Sequence, residues 1–261
     1  MVPRDAVGGN ASTGLDVSNI GSVPTSPTFT DLLHDATLLS YEHLLRLQDV
    51  IGEGDWNVDL FAPEFRFTGE RDIVCTGVHL LGSAAPGPRS WLWAWANPTG
   101  YPESVTGLSL AVRQFGQEHG IRELSEPEVA FDALPGSPDD PALVSMLMIR
   151  VVSVLSGRWT PGSVDAGGGT QAALILEHPE FVLPDPDVAR FMRVLQQGLN
   201  EPYLDKRRAY SAYAERRGLE VSVDPGGSRM EMAAPDFQVV VDFDELGRPA
   251  QLSAQTRSAT S

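Results

Sequence analysis

The run Ser90–Ala96, with the sequence SWLWAWA, constrains the fold more than any other stretch of this chain. Its three tryptophans stand at every second position, and successive side chains of a β-strand point to opposite faces of a sheet. The run therefore predicts a strand that presents Trp91, Trp93 and Trp95 on one face and small apolar residues on the other. Asn97 follows directly, at the predicted end of the strand.

Two interpretations of this tryptophan face stay open, because tryptophan serves both protein cores and binding surfaces. In the first, the face packs in the core against helices. In the second, it lines a concave site for a ligand or a partner protein. The candidate binding residues are then Trp56, Trp91, Trp93, Trp95 and Asn97.

The remaining sequence predicts an α+β fold, in which an antiparallel β-meander packed with helices precedes a smaller helix-plus-meander unit. Apolar residues at helical spacing predict helices over 30–50, 103–119, 142–156 and two segments between Asp187 and Gly218. Alternating or apolar runs bounded by turn residues predict the strands 56–61, 64–67, 73–81, 90–96, 172–177, 219–223, 229–233, 237–243 and 249–255. The segment 159–169 is predicted to be a loop.

The domain organisation follows from changes in composition. Residues 1–27 are rich in Gly, Ser, Thr, Asn and Pro without apolar periodicity, which predicts a disordered tail. The segment Pro184–Asp187, with the sequence PDPD, predicts a boundary. We therefore expect a tryptophan-rich domain over 28–183 and a small domain over 184–261.

The tryptophan-rich segment resembles the signature of a bacterial family catalogued as domain of unknown function 6882. Further similar segments stand in the same order before and after the tryptophans: Trp56, Phe65–Phe67, Leu80–Gly82, Arg113–Ile121 and Glu123–Pro127. The resemblance covers roughly residues 30–183. It implies a domain that ends near 183, and it implies no activity, since the family brings none with it.

The net charge of the chain argues against some classes of binding partner. Thirty-five acidic residues against 19 basic ones give a formal net charge of −16. This disfavours nucleic acid and anionic membranes, because phosphate groups are held by clustered basic residues. Only Lys206 is a lysine among the bases, which is typical of a GC-rich bacterial genome. No run approaches the roughly 20 apolar residues of a membrane span, and the first residues lack the order of a secretory signal. We therefore expect a cytoplasmic protein.

No motif for catalysis, metal binding or a cofactor is found. The five histidines show no metal-ligand spacing. Gly107–Ala111 lacks the last glycine of a nucleophile elbow, and Cys75 lies in an apolar strand, as a buried thiol does. Gly167–Thr170 has no lysine nearby, so it is interpreted as a flexible loop and not as a phosphate loop. We predict no catalytic residue, no metal and no cofactor.

The leading functional hypothesis is a non-enzymatic protein that binds an unknown protein or small molecule through its tryptophan face. The alternative is a hydrolase-type enzyme whose polar groups converge only in three dimensions. A deep pocket with two carboxylates, or with a carboxylate and a histidine, would favour that alternative. A third hypothesis is self-association through an exposed edge of the C-terminal meander.

Overall fold

The computed structural model describes residues 26–201 and 203–257. The tail predicted over 1–27 therefore lies, up to residue 25, outside the described residues. The α-helices of the described part are α1 Phe29–Ile51, α2 Glu103–His119, α3 Arg122–Ser125, α4 Pro141–Ser156, α5 Val188–Leu199 and α6 Lys206–Arg216. None of these helices is long and apolar enough to cross a lipid bilayer.

The strands of the described part form three antiparallel sheets. A three-stranded sheet has the order β1-β2-β3, with β1 Gly54–Asp59, β2 Glu64–Gly69 and β3 Ile73–Val74. A five-stranded sheet has the order β6-β5-β4-β8-β7, with β4 Gly77–Ala85, β5 Ser90–Trp93, β6 Glu128–Ala130, β7 Thr160–Asp165 and β8 Gln171–Glu177. A four-stranded sheet has the order β12-β11-β10-β9, with β9 Glu220–Val223, β10 Arg229–Ala233, β11 Phe237–Phe243 and β12 Pro249–Thr256. The predicted α+β class is confirmed.

The first helix lies at the centre of the molecule. Thr28 and Asp31 form a capping box at its N-terminus, in which each side chain accepts a hydrogen bond from the other residue's backbone N–H. Gly52, at φ 65°, ends the helix. Twelve of its 23 residues are buried, and they contribute to all three apolar clusters of the molecule. Such burial on several sides distinguishes α1 from a surface helix with a single apolar stripe.

The three clusters occupy separate layers. The first lies between one face of the five-stranded sheet and α2 and α4. The second packs the four-stranded sheet against α5, α6 and the middle of α1. The third lies between the other face of the five-stranded sheet and the hairpin formed by β1 and β2. In β8, Ala173 and Ile175 face the first cluster while Leu174 and Leu176 face the third, as strand periodicity requires.

Two predicted elements are divided by the structure. The strand predicted over 73–81 breaks because the chain crosses there from one sheet to another. The N–H of Cys75 donates to Phe65 of the three-stranded sheet at 2.9 Å, and the N–H of Thr76 donates to Glu177 of the five-stranded sheet at 2.7 Å. The strand predicted over 90–96 ends at Trp93, one residue after its last pairing with the short strand β6, and Ala94–Ala96 form a 3-10 turn.

The predicted loop over 159–169 is wrong in its first half, because Thr160–Asp165 form strand β7 beside β8. The sequence TPGSVD has low strand propensity, so the pairing with β8 and not the local preference decides its conformation. Gly167, Gly168 and Gly169 all have positive φ and supply the tight turn of this hairpin. The three glycines therefore serve a turn.

The boundary predicted near residue 184 stays a prediction. The structure shows that α1, from the first predicted domain, packs against α4 and also against α5 and α6. Leu38, Leu39 and Leu45 belong to the same apolar cluster as the C-terminal sheet. The two predicted domains thus share a helix.

Candidate functional site

Trp91 and Trp93 follow the core interpretation of the tryptophan strand. Both are 0% exposed, and their rings meet edge to face at 5.4 Å and 88°. The indole Nε1 of Trp93 donates to the carbonyl oxygen of Glu123 at 3.0 Å. These side chains offer no surface to a ligand in this structure, and they hold the first cluster together instead.

Trp95 does not share a strand face with them, contrary to the predicted arrangement, since it stands in the 3-10 turn. Its half-buried ring lies beneath the guanidinium of Arg113, whose Cζ is 4.2 Å from the ring centroid, a cation–π contact. Asn97 is separate again: its side-chain oxygen accepts from the N–H of Thr99 at 3.0 Å. It lines a small cavity of about 250 Å³ together with Tyr101.

Trp56 is the one predicted residue that lines a second and larger cavity. It lies on β1, is 44% exposed and stacks on Phe65 of β2 at 5.7 Å. Its cross-strand partner is Phe67, so the three aromatic side chains share the inner face of the hairpin. The structure therefore does not bring the five predicted residues together.

The larger cavity, which we call the cleft, has a volume of about 480 Å³. Cavities of roughly 300–1,000 Å³ hold most small-molecule ligands. Its walls come from α1, the β1–β2 hairpin, α4, β7 and the C-terminal end of α5. The apolar lining residues are Leu44, Leu47, Trp56, Phe65, Phe67, Ala142, Met146, Ile149 and Pro161, and the others are Ser40, Tyr41, Ser145, Arg150, Gly162, Ser163, Gln197 and Glu201.

Helical spacing brings the lining side chains of α4 into the cleft. Met146, Ile149 and Arg150 stand at i, i+3 and i+4, which places them on one face of the helix. Asp140 caps the N-terminus of α4 through a hydrogen bond from the N–H of Ala142 at 2.9 Å, and Pro141 takes the first helical position. The position at which α4 begins is thus set by Asp140 and Pro141, and it fixes which residues of the helix face the cleft.

An ion pair supplies the charged residues of the described cleft lining. The Nη2 of Arg150 donates to Oε1 of Glu201 at 3.2 Å, and their side chains are 11% and 29% exposed. Lys206 donates to the carbonyl oxygen of Glu201 at 2.8 Å and so holds the loop after α5 in place. Among residues 26–201 and 203–257, the bond to Glu201 is the one hydrogen bond that the Arg150 guanidinium donates. A guanidinium has five N–H donors, and residues in the described ranges accept a hydrogen bond from only one of those of Arg150.

Two of the serine hydroxyls in the lining are engaged elsewhere. Ser145 donates to the carbonyl oxygen of Gln171 at 3.3 Å, and Ser163 donates to the side-chain oxygen of the same residue at 3.1 Å. These bonds fix β7 and α4 to the start of β8. Ser40, Tyr41 and Gln197 also line the cleft, and Arg150 and Glu201 are the charged residues among its described lining.

Sequence reasoning missed both residues of this ion pair. Arg150 is the only charged residue of the otherwise apolar helix α4, and that isolation is a signal that could have singled it out. Glu201 gives no such signal, because it stands 51 residues further along the chain in a loop of mixed composition. The two meet because α4 and α5 both pack against α1.

A second group of titratable side chains lies at the far end of β4 and β8. His79 Nε2 is 3.1 Å from Glu177 Oε1, and Arg158 donates to the same carboxylate. Burial alone would raise the pKa of Glu177, but the hydrogen bond from Arg158 and its charge outweigh burial and hold that pKa below its ordinary value. Burial lowers the pKa of His79. Neither His79 nor Glu177 lines the cleft.

No metal-binding geometry is found in the described part of the chain: no group of three or more His, Cys, Asp or Glu side chains converges there. Cys75 is buried, and burial raises the pKa of its thiol to about 12. A thiol with a raised pKa is a weak nucleophile at neutral pH. This agrees with its interpretation as a small apolar residue.

Comparisons with curated proteins and with solved structures gave no match. A sequence model of a family of unknown function, DUF6882, matches residues 30–179. The matched range is more than half of the 261 residues and includes the tryptophan strand, Trp56 and Arg150. Gln197 and Glu201, which also line the cleft, lie beyond the matched range. The chain therefore belongs to the family of unknown function DUF6882, as its tryptophan-rich segment indicated.

Proposed function

We propose that this protein binds a small molecule in the cleft, with an apolar and preferably planar body and one hydrogen-bond acceptor group. The observation that carries the proposal is a largely apolar cleft of about 480 Å³ whose charged residues, among those described, form a single ion pair that is 11% and 29% exposed. Ligand sites are commonly built in this way, from apolar walls with a few fixed polar groups that orient the ligand.

The aromatic side chains of the β1–β2 hairpin favour a ligand with a planar apolar body. The rings of Trp56 and Phe65 stack with their centroids 5.7 Å apart. Trp56 lines the cleft and is nevertheless 44% exposed. A planar ligand against this ring would bury apolar surface at roughly 25 cal/mol per Å². An exposed tryptophan at the rim of an apolar cleft is typical of a contact residue.

The ion pair supports an acceptor group on the ligand. Arg150 donates to Glu201 through Nη2, which orients the guanidinium, and Arg150 itself lines the cleft. A carbonyl or carboxylate oxygen of a ligand is an acceptor for a guanidinium N–H. Because Glu201 already compensates the charge of Arg150, a ligand of low net charge suits the site better than a phosphate or another multiply charged anion.

The hydrolase alternative needs a carboxylate pair, or a carboxylate with a histidine, directed into one pocket. Among the described lining residues, Glu201 is the one carboxylate, and no histidine is present. The His79–Glu177 pair lies at another place in the fold. The cleft therefore supports binding better than hydrolysis.

The test uses fluorescence titration with anilinonaphthalene sulfonate, an aromatic probe that carries an acceptor group. We expect saturable binding and a dissociation constant that rises about tenfold in Trp56→Ala, equivalent to about 1.4 kcal/mol. Arg150→Met, which keeps an apolar side chain without donors, should weaken the sulfonate but leave the uncharged parent compound unaffected. The matched control is Phe61→Ala, because Phe61 is 60% exposed on the same hairpin and does not line the cleft.

Equal binding by wild type, Trp56→Ala and Arg150→Met would contradict the proposal, since the probe would then sit elsewhere. No saturable binding of the probe, or of a library of small aromatic acids and amides followed by ligand-observed NMR, would contradict it as well. A protein partner would then be the better hypothesis. Far-UV circular dichroism of each variant separates a lost contact from a lost fold.

A further inference from the structure

The edge strand β12 differs from the other sheet edges of the described structure. The three sheets end in β1, β3, β6, β7, β9 and β12. With eight residues, β12 is the longest of them. Four of the others carry acidic residues: Asp55 and Asp59 on β1, Glu128 on β6, Asp165 on β7 and Glu220 on β9. The remaining one, β3, has only two residues.

No charged residue stands on β12, whose sequence is PAQLSAQT. Natural proteins commonly protect a long edge against pairing by a charge, a bulge or an internal proline. The one proline of β12, Pro249, is its first residue, where proline is tolerated. The one register shift lies beside it, between Asp242 and Phe243 of β11. The seven residues Ala250–Thr256 therefore present an unprotected edge.

Among the residues that the structure describes, no strand pairs with the outer edge of β12. On one side β12 pairs with β11, from Phe237↔Thr256 to Phe243↔Pro249. On the other side, neither a backbone nor a side-chain hydrogen bond reaches it from any residue the structure describes. Backbone N–H and C=O groups in this arrangement are a template for another strand.

The charge around β12 favours a second copy of the same chain. Two copies with a net charge of −16 each repel one another, so a stable contact between them needs a surface without acidic residues. Helix α5, which packs against β12, carries only Arg190 and Arg193 as charged residues. Strand and helix together thus form an edge without acidic side chains.

We propose that two copies associate by antiparallel pairing of their β12 strands, which would join two four-stranded sheets into one continuous sheet. An antiparallel pair of identical strands is two-fold symmetric, so each strand satisfies the other's backbone groups with the same register. The outward side chains are Gln251, Ser253 and Gln255, opposite Asp242, Val240 and Gln238 of β11. They are uncharged, so no like charges would meet at the two-fold axis.

The first measurement is the mass in solution by light scattering after size-exclusion chromatography, over a range of concentrations. We expect the wild-type chain at twice its 28.2 kDa. Ser253→Lys places two like charges near the axis, and we expect this variant at 28.2 kDa. The matched control is Ser222→Lys on β9, on the same sheet face but at the opposite edge, which should keep the dimer mass.

A wild-type mass of 28.2 kDa at every concentration would overturn the proposal, and so would a dimer that Ser253→Lys leaves intact. Hydrogen–deuterium exchange of the wild type decides the case in which Ser253→Lys fails to fold. The amides of 250–256 should exchange more slowly at high than at low protein concentration, while those of β9 should show no difference. Equal exchange of 250–256 at both concentrations excludes pairing through β12.

Discussion

At the scale of the residue, burial changes the pKa of His43, which nothing in the local sequence distinguishes from an exposed histidine. Its ring stacks on Trp159, with centroids 5.9 Å apart and planes 13° from parallel. Its Nδ1 is buried and has no hydrogen-bond partner among the described residues. Burial first, and the nearby charge of Arg217 second, lower the pKa of His43 to about 3. The folded protein thus keeps this imidazole neutral through the acidic range in which an exposed histidine becomes charged.

This shift predicts a loss of stability in acid. Above the ordinary pKa of 6.5 the ring is neutral in both states, so it contributes no pH dependence. As the pH falls below 6.5, the unfolded chain binds a proton that the folded chain does not bind. The free energy of unfolding then falls by up to about 1.4 kcal/mol per pH unit. Between pH 7 and pH 5, the wild type should lose about 2 kcal/mol relative to His43→Phe, measured by urea denaturation. Parallel pH profiles of the two proteins would contradict this.

At the scale of the element, the approach of β4 to β5 depends on a missing side chain. Gly82 lies at the bulge of β4, and a Cβ atom there would stand 2.3 Å from the carbonyl oxygen of Leu92 and 2.6 Å from the ring of Trp91. Neither neighbour can move freely, because one is backbone and the other is a fully buried tryptophan. The glycine is therefore needed for the packing of the tryptophan strand.

We expect Gly82→Ala to reduce the free energy of unfolding by at least about 2 kcal/mol, since the extra methyl group must displace a strand or a packed ring. The control is Gly107→Ala in α2, where an added Cβ meets no atom within 4 Å. That change should be neutral or should stabilise the protein by about 0.5–1 kcal/mol, because alanine favours a helix interior. Denaturant unfolding measures both variants. Equal stability of the two would show that β4 and β5 accommodate the methyl group.

At the scale of the whole molecule, α1 couples the two predicted domains. Phe29, Leu32 and Leu33 enter the first cluster, Leu38, Leu39 and Leu45 the second, and Leu47 and Val50 the third. Arg208 of α6 pairs with both Asp31 and Asp35 of α1. We therefore expect the loss of one cluster to destabilise the other two through this shared helix.

This coupling predicts a single cooperative unfolding transition by calorimetry. It also predicts that Leu38→Ala, at a site 1% exposed, destabilises the five-stranded and the four-stranded sheets together, by about 2–5 kcal/mol. Native-state hydrogen exchange should show the loss of protection in β8 and β11 alike. Two separate transitions, with Leu38→Ala acting on the C-terminal sheet alone, would instead support independent domains that meet near residue 184.

Local side-chain patterns specify the parts of the fold that depend on residues close together in the chain. The capping box of α1, the glycine after α4 and the spacing of apolar residues fix the helices within a few residues. The turns of the C-terminal meander fix its four strands in the same way. The tryptophan-rich segment also indicated the family. In these places, each backbone preference is decided by side chains a few positions away.

The tertiary structure decided what depends on distant residues. Strand β7 forms because it pairs with β8. The predicted strand 73–81 is divided because its two halves form hydrogen bonds with different sheets. Trp91 and Trp93 are buried in the core, whereas Trp56 lines the cleft. The difference arises because the burial of a strand residue depends on which helix or sheet packs on its face of the sheet. The ion pair of Arg150 and Glu201 joins elements 51 residues apart. No local pattern records such a contact, because it arises only when the helices pack.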